Sequence, residues 1–228
     1  MSNNFDRMSI KTQYRFDRLP LKDKILSIAK KSCDSIALLK YSGIDPSYNN
    51  NELLMRACEN GNVKFVEYLL KDDRVDPADQ DSFCFAVACS TDAHIDVVKK
   101  LLEDGRADPS GSNNAALCAC AFAHSDLSFD IEDSQKYGEI AKLLINNGVD
   151  PSYGDNLALK CYYYGYGMSD LPAKLDHFAD ILLADKRVNP MMHSGKHFFE
   201  HFEENTYVFE KFNEQNEKFN EQIKKYST

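Results

Sequence analysis

The amino-acid sequence predicts an all-α fold, a solenoid of stacked helical hairpins followed by a long C-terminal helix. Three linked positions carry that prediction. An Asx-Pro dipeptide recurs five times, as Asp45-Pro46, Asp76-Pro77, Asp108-Pro109, Asp150-Pro151 and Asn189-Pro190, at intervals of 31, 32, 42 and 39 residues. A Leu-Leu pair stands six to seven residues before each Asx: Leu38-Leu39, Leu69-Leu70, Leu101-Leu102, Leu143-Leu144 and Leu182-Leu183. The residue directly before the Asx is always apolar: Ile44, Val75, Ala107, Val149 and Val188. Linked recurrence at a period of roughly 20–50 residues is the signature of a repeat architecture.

Each repeat reads as two helices. Four residues past the proline stands Asn50, Asp81, Asn113, Asp155 or Ser194, residue types that cap a helix amino terminus. The first helix has a large apolar residue at the eighth position past the proline: Leu54, Phe85, Leu117, Leu159 and Phe198. Small residues follow one turn later, at Ala57-Cys58, Ala88-Cys89 and Cys120-Ala121, where they let neighbouring helices approach. Glu59-Asn60-Gly61-Asn62 turns the chain into a second helix, residues 63–70, with apolar positions at 3-to-4 spacing. That helix stops before the Asx-Pro, because proline disfavours a helical residue ahead of it. One hairpin cannot bury its own apolar face, so the units must stack.

The pattern Asn51-x-x-Leu54-x-x-Ala57-Cys58-x-x-Gly61-x-x-x-x-Val66-x-x-Leu69-Leu70-x-x-x-x-Val75-Asp76-Pro77 resembles an ankyrin repeat. Its Arg74-Val75-Asp76-Pro77 ending is similar to the divergent ankyrin repeats common in amoebae, slime moulds, giant viruses and some intracellular bacteria. The resemblance covers about residues 21 to 202 and implies a protein-binding solenoid. The Thr-Pro-Leu-His opening typical of ankyrin helices is absent, so the hydrogen-bonding network that its His and Thr make between repeats is expected to be weaker.

Residues 1–20 show no clear period and are expected to be irregular. The repeats occupy residues 21–193, with a shortened cap unit at 21–46, made of helices from Leu21 to Lys31 and Cys33 to Leu39. Full units start near 47, 78, 110 and 152. Residues 194–228 form a last helix that closes the stack and extends into a heptad-patterned tail.

The units starting near 110 and 152 are longer, and their extra residues are expected in the turn between the two helices. In the first this is roughly Ala123 to Lys136, with Asp126, Asp130, Glu132 and Asp133; in the second, roughly Tyr164 to Asp176. Insertions in repeat arrays collect on one edge, often the binding edge. Within Tyr162-Tyr163-Tyr164-Gly165-Tyr166, the first two rings fall at repeat core positions and are read as packing. Tyr164 and Tyr166 are read as exposed anchors for a partner protein, with the four carboxylates beside them.

A formal charge of −9 argues against a general affinity for nucleic acid or anionic lipid. No stretch approaches the roughly 20 apolar residues of a membrane span. Met1 to Arg7 lack the apolar core of a secretion signal. The expected location is the cytoplasm, that of a host cell if the source is viral or bacterial. Seven cysteines, mostly in Ala-rich helical contexts, are read as buried reduced thiols.

No phosphate loop or nucleophile motif appears, and no cofactor is expected. His193, His197 and His201 share a helical stripe at a spacing that can hold a metal, but they lack a zinc-protease glutamate and Gly195 falls at the helix start. They are read as structural or surface histidines. The functional reading is a non-catalytic protein-binding adaptor. Two alternatives are a structural component that self-associates through its tail, and a ubiquitin-ligase adaptor. The latter rests on Leu19-Pro20-x-x-x-Lys24-Ile25-Leu26, which resembles an F-box opening in a segment too short for a whole F-box.

In the tail, Glu210-Lys211-Phe212-Asn213-Glu214-Gln215 recurs unchanged as Glu217-Lys218-Phe219-Asn220-Glu221-Gln222, one heptad on. The seam Phe198, Phe202, Asn205, Phe209, Phe212, Asn216, Phe219, Ile223, Tyr226 alternates by four and three, as a coiled coil does. Two asparagines and the use of Phe for Leu disfavour a strong parallel dimer. In sedimentation at high micromolar concentration, the full chain and a version ending at Asn205 should both run as monomers. A dimer that requires residues 206–228 would assign the tail to self-association.

Overall fold

The computed structural model describes residues 10–30, 35–90, 92–124, 131–165 and 177–188, and among these every regular element is a helix. They are α1 (Ile10–Asp17), α2 (Leu21–Ala29), α3 (Ser35–Ser42), α4 (Tyr48–Glu59), α5 (Val63–Leu69), α6 (Asp79–Ser82), α7 (Cys84–Ser90), α8 (Ile95–Asp104), α9 (Gly111–His124), α10 (Ile131–Asn146), α11 (Tyr153–Gly165) and α12 (His177–Leu183). The chain forms two compact units, residues 1–116 and 117–228. In the first, α2, α4 and the α6–α7 pair each open a hairpin that α3, α5 or α8 completes. First helices pack on first helices (α2 on α4, α4 on α7) and second on second (α3 on α5, α5 on α8). In the second unit, α12 packs on both α10 and α11. The tail from residue 189, with its expected helix and the three histidines, lies outside the described residues.

The apolar interior follows the repeat register. Positions seven, eight, eleven and twelve past the proline are buried wherever described: Leu53, Leu54, Ala57 and Cys58; Cys84, Phe85, Ala88 and Cys89; Ala116, Leu117, Cys120 and Ala121; Ala158, Leu159 and Tyr162. Tyr162 stacks on Phe178 of α12 with ring centroids 5.8 Å apart, as the packing role expected of it requires. Second helices contribute Phe65, Val66 and Leu69, then Val97, Val98 and Leu101.

The expected helix caps are a correction. Asn50, Asp81, Asn113 and Asp155 do not cap. Each is the middle residue of a left-handed turn three to five positions past the proline: Asn49–Asn51, Gln80–Ser82, Ser112–Asn114 and Gly154–Asn156, all at φ between 50° and 62°. Asn, Asp and Gly tolerate this conformation best, whereas most L-residues lose roughly 1–2 kcal/mol in it. Short polar residues serve caps and left-handed turns alike, so the sequence signal was ambiguous. The turn buries the side chain at its third position, Asn51, Ser82, Asn114 or Asn156. Asn51 Oδ1 accepts the backbone N–H of Asp76 at 3.0 Å, and Ser82 Oγ accepts that of Asp108 at 2.9 Å. Each bond ties the turn that opens a unit to the Asx that closes the same unit. Gly111 is required here, because a Cβ would fall onto the carbonyl oxygen of Asp81 in the preceding repeat.

Polar bonds cross between repeats through residues outside the Thr-Pro-Leu-His motif. Asn62 caps α5 and donates to the Lys30 carbonyl at 2.7 Å and to Ser35 Oγ at 2.9 Å. His94, one repeat later, donates through Nε2 to the Glu59 carbonyl at 3.0 Å. Its ring fills the space over Gly61, where a Cβ would collide with it. The absent Thr-Pro-Leu-His network is therefore replaced by other polar groups, invisible to a search for that motif.

The Asp-x-Arg segment before the Asx has its own role. Arg74, Arg106 and Arg187 each grip the aspartate two residues back through Nε and Nη2, at 2.6–2.9 Å. Arg106 also donates to the carbonyls of Leu70 and Val75 in the preceding repeat. Arg74 and Arg187 lie 3.7 and 3.8 Å from the preceding Asx carboxylates, Asp45 and Asp150. The Asx carboxylates accept the backbone N–H two residues on, for example Ser47 to Asp45 at 3.0 Å and Ser110 to Asp108 at 2.8 Å.

Two boundaries differ from expectation. Residues 10–17, expected to be irregular, form α1, because Phe16 is buried and meets Tyr41 edge-on while the Tyr41 hydroxyl donates to Asp17 at 2.9 Å. The turn expected over residues 123–136 is mostly helix. α9 runs to His124 and α10 begins at Ile131, since Tyr137, Ile140, Ala141 and Leu144 continue one apolar stripe and a helix pairs its own backbone groups.

Replacing Asn51 with Ala removes the acceptor of the Asp76 N–H and should cost about 1 kcal/mol in denaturant unfolding. Gln80→Gly relieves a left-handed glutamine and should stabilise by up to about 1 kcal/mol. A neutral Asn51→Ala would remove that bond from the forces that hold the unit closed.

Acid should act on the same edge. The Arg74 and Arg187 guanidinium groups hold Asp72 and Asp185 below the ordinary carboxylate value, and the Ser47 N–H and the Ser110 hydroxyl do the same for Asp45 and Asp108. A pKa lower in the folded than in the unfolded state gives stability that is present above the unfolded value, about 3.9, and lost as pH falls through the folded one. The Tm deficit of Asp72→Asn with Asp185→Asn should therefore be largest near about pH 7 and shrink below about pH 4. A deficit independent of pH would show that the carboxylates act only through packing.

Candidate protein-binding surface

Small residues set the geometry of a surface groove between α4 and α7. Ala57 and Cys58 on α4 and Ala88 and Cys89 on α7 are fully buried, so the two first helices lie close. The side chains flanking that contact on the outer side form a groove lined by Glu52, Met55, Arg56 and Glu59 from the first repeat and Phe83 and Val87 from the second. Asn49 and Gln80, from the two left-handed turns, also line it. Phe83 is 40% exposed, a large aromatic ring left in solvent. Arg56 is held between Glu59 at 2.8 Å and Glu52 at 3.7 Å, and Asn49 donates to Glu52 at 2.8 Å. The hydrogen bond to Glu59 is the main cause that raises the Arg56 pKa, so its charge is permanent. The groove thus offers an aromatic ring, a thioether and a positioned guanidinium with flanking carboxylates. These are the ingredients of side-chain recognition.

The thiols beneath this groove are poor nucleophiles. Burial pushes the Cys58 thiol well up and the Cys84 thiol up to about 12, so neither is a thiolate near neutral pH. Among the described residues no three of His, Cys, Asp and Glu are grouped as metal ligands would be. No helix among them is long and apolar enough to cross a membrane.

Of the residues the sequence singled out for binding, Tyr166, Asp126 and Asp130 lie outside the described residues. Tyr164 falls on α11, and Glu132 and Asp133 on the first turn of α10, with their side chains outside the description. The sequence reading missed Phe83. Its signal was the register: position six past the proline lies off the buried stripe and holds Glu52 and Ala115 in the flanking units, so a phenylalanine there is bound to be exposed. Phe122, thirteen past its proline like Glu59, is 62% exposed for the same reason.

Hairpins repeated in one register, with apolar positions inside and a mixed groove across their first helices, define a helical-hairpin repeat protein. Residues 25–113 match the family model for ankyrin repeats, in three copies, so this part of the chain is built of ankyrin repeats. No curated protein and no solved structure matches it. The match spans α2 to the start of α9. Beyond it, Asp150-Pro151 is followed by the same turn, with Ser152 donating to Asp150 at 2.9 Å and a left-handed Gly154–Asn156. Ankyrin repeats are generally protein–protein interaction modules.

Proposed function

We propose that the chain is a non-catalytic adaptor that binds another protein through the groove between α4 and α7. The observation that carries this reading is Phe83, exposed on the groove beside Met55 and Val87, where the repeat register has no structural use for an aromatic ring. Exposed aromatic side chains bordered by arginine are the usual anchors of protein interfaces, and the general role of ankyrin repeats agrees. The edge expected from the sequence, with Tyr164, Tyr166, Asp126, Asp130, Glu132 and Asp133, is a second contact region. The adaptor acts in the cytoplasm and needs no cofactor. Self-association through the tail is the second reading, favoured by the heptad-spaced Glu-Lys-Phe-Asn-Glu-Gln repeat.

Affinity purification with the full chain identifies a partner, and titration then measures its affinity for three forms. Phe83→Ala should weaken binding by more than about 1 kcal/mol, roughly fivefold, while unfolding stability stays within about 0.5 kcal/mol. Tyr164→Ala with Tyr166→Ala should do the same if the second region contributes. Unchanged affinity for Phe83→Ala would remove the groove from the interface, and unchanged affinity for the tyrosine pair would make those residues ordinary surface.

A further inference from the structure

The N-terminal helices α1 to α3 carry a charge opposite to the rest of the chain. Residues 10–43 hold eight basic and three acidic side chains, a formal +5 within a chain of −9. Residues 44–116 hold seven basic and fourteen acidic ones, a formal −7. Pairing separates the two stretches further. In the repeats Arg56, Arg74, Lys99, Lys100 and Arg106 each lie 3.8 Å or less from a carboxylate. At the N-terminal end none of Arg15, Arg18, Lys22, Lys24 and Lys30 is ion-paired with a described residue. Arg18 lies instead over the Tyr14 ring, 4.5 Å from its centroid, and Lys24 over Phe16 at 5.5 Å. Phe16 also meets Tyr41, so α1, α2 and α3 converge on one ring. Arg15, Arg18, Lys22 and Lys30 are exposed on these helices, together with Tyr14, Leu21 and Tyr41 at 57%, 44% and 44%. We propose that this end is a docking surface, additional to the α4–α7 groove, for an acidic peptide segment of another protein that also carries aromatic or aliphatic residues.

Size makes the cations act together. Helices of eight or nine residues are roughly 12–14 Å long, and the Debye length at physiological salt is about 8 Å. A carboxylate that approaches any of these cations therefore feels its neighbours as well. No protein carboxylate has to be displaced first, and guanidinium–carboxylate hydrogen bonds are among the stronger ones. The exposed tyrosines and Leu21 supply the apolar contact that charge alone lacks, as aromatic residues do at protein interfaces. The acidic repeats set the extent of the ligand. A nucleic acid or an anionic membrane is a continuous polyanion much larger than this end of the molecule. Its phosphates would run on to residues 44–116, where like charges repel. A short acidic peptide stops before it reaches them.

The test selects a library of random peptides, each of about 12 residues, on the full chain and titrates the enriched ones at about 50 and about 300 mM salt. The enriched set should include peptides with a net negative charge and at least one aromatic or aliphatic residue. Arg15→Glu with Lys22→Glu should weaken these at least about tenfold, and the higher salt should weaken them too. Arg15→Lys with Lys22→Arg should bind as the wild type does. Phe83→Ala should leave them unaffected, which separates this surface from the groove. The proposal is overturned if only neutral or basic peptides are enriched, if charge reversal leaves their affinity unchanged, or if Phe83→Ala abolishes their binding. Tighter binding of phosphatidylserine vesicles or single-stranded RNA through Arg15 and Lys22 would overturn it as well, by making this end a polyanion site. Should the charge-reversed chain unfold, Arg15→Gln with Lys22→Gln decides the matter, and an unchanged affinity there also overturns the proposal.

Discussion

The hydrogen bond from an Asx backbone N–H to the buried side chain near the start of the same unit, Asp76 to Asn51 and Asp108 to Ser82, is the constraint around which the repeats are arranged. It closes each unit on itself, by giving the backbone donor at the chain reversal an acceptor within the protein. The acceptor is supplied by a residue the chain must turn left-handed to deliver, three to five positions past the proline. That geometry explains several sequence features together. Asparagine is frequent in the turn because it tolerates positive φ and carries an acceptor. Glycine at 111 is dictated by the carbonyl of Asp81 pressing on it from the repeat before. The proline stiffens the approach, and the Asp carboxylate ahead of it takes the next free N–H.

Around that bond the protein divides its labour between an apolar interior and a polar edge. The interior is fixed by four positions per first helix, where Leu, Phe or Tyr alternates with Ala or Cys, so that adjacent helices interlock at close range. The edge is held by the bidentate Arg–Asp pairs and by guanidinium contacts to carbonyls one repeat back. Such exposed ion pairs each contribute little on their own. Arg106 also satisfies the Leu70 carbonyl at the end of α5, which has no partner within the helix. Asn62 and His94 do the equivalent for the first helices. The groove at Phe83 is a by-product of this division, since close-set helices leave a furrow whose walls are whatever residues stand off the buried stripe.

The cysteines show how one residue type takes different roles from its position in the same register. At positions seven, eleven and twelve past the proline a thiol is a small buried side chain, whereas at positions nine and ten, as Cys118 and Cys161, it lies on the partly covered flank of its helix. Burial raises the Cys58 and Cys84 pKa values and leaves those two inert.

The helices, their order and nearly all of the interior were legible in the sequence, because each rests on local patterns: apolar periodicity, small residues one turn on, and proline ending each hairpin. Asx-Pro, Leu-Leu and the apolar residue before the Asx located the repeats without reference to any neighbour. The sequence also placed Tyr162 inside. It could not tell a helix cap from a left-handed turn, since Asn50, Asp81 and Asn113 suit both and only the path of the adjacent repeat chooses between them. Nor could it name the bonds between repeats, for the same reason: Asn62, His94 and Arg106 find their acceptors some thirty residues away. Phe16 gave no period of its own, and α1 exists because Tyr41 offers it a surface. Local chemistry determined what each repeat is, and the contacts between repeats decided what its polar groups do.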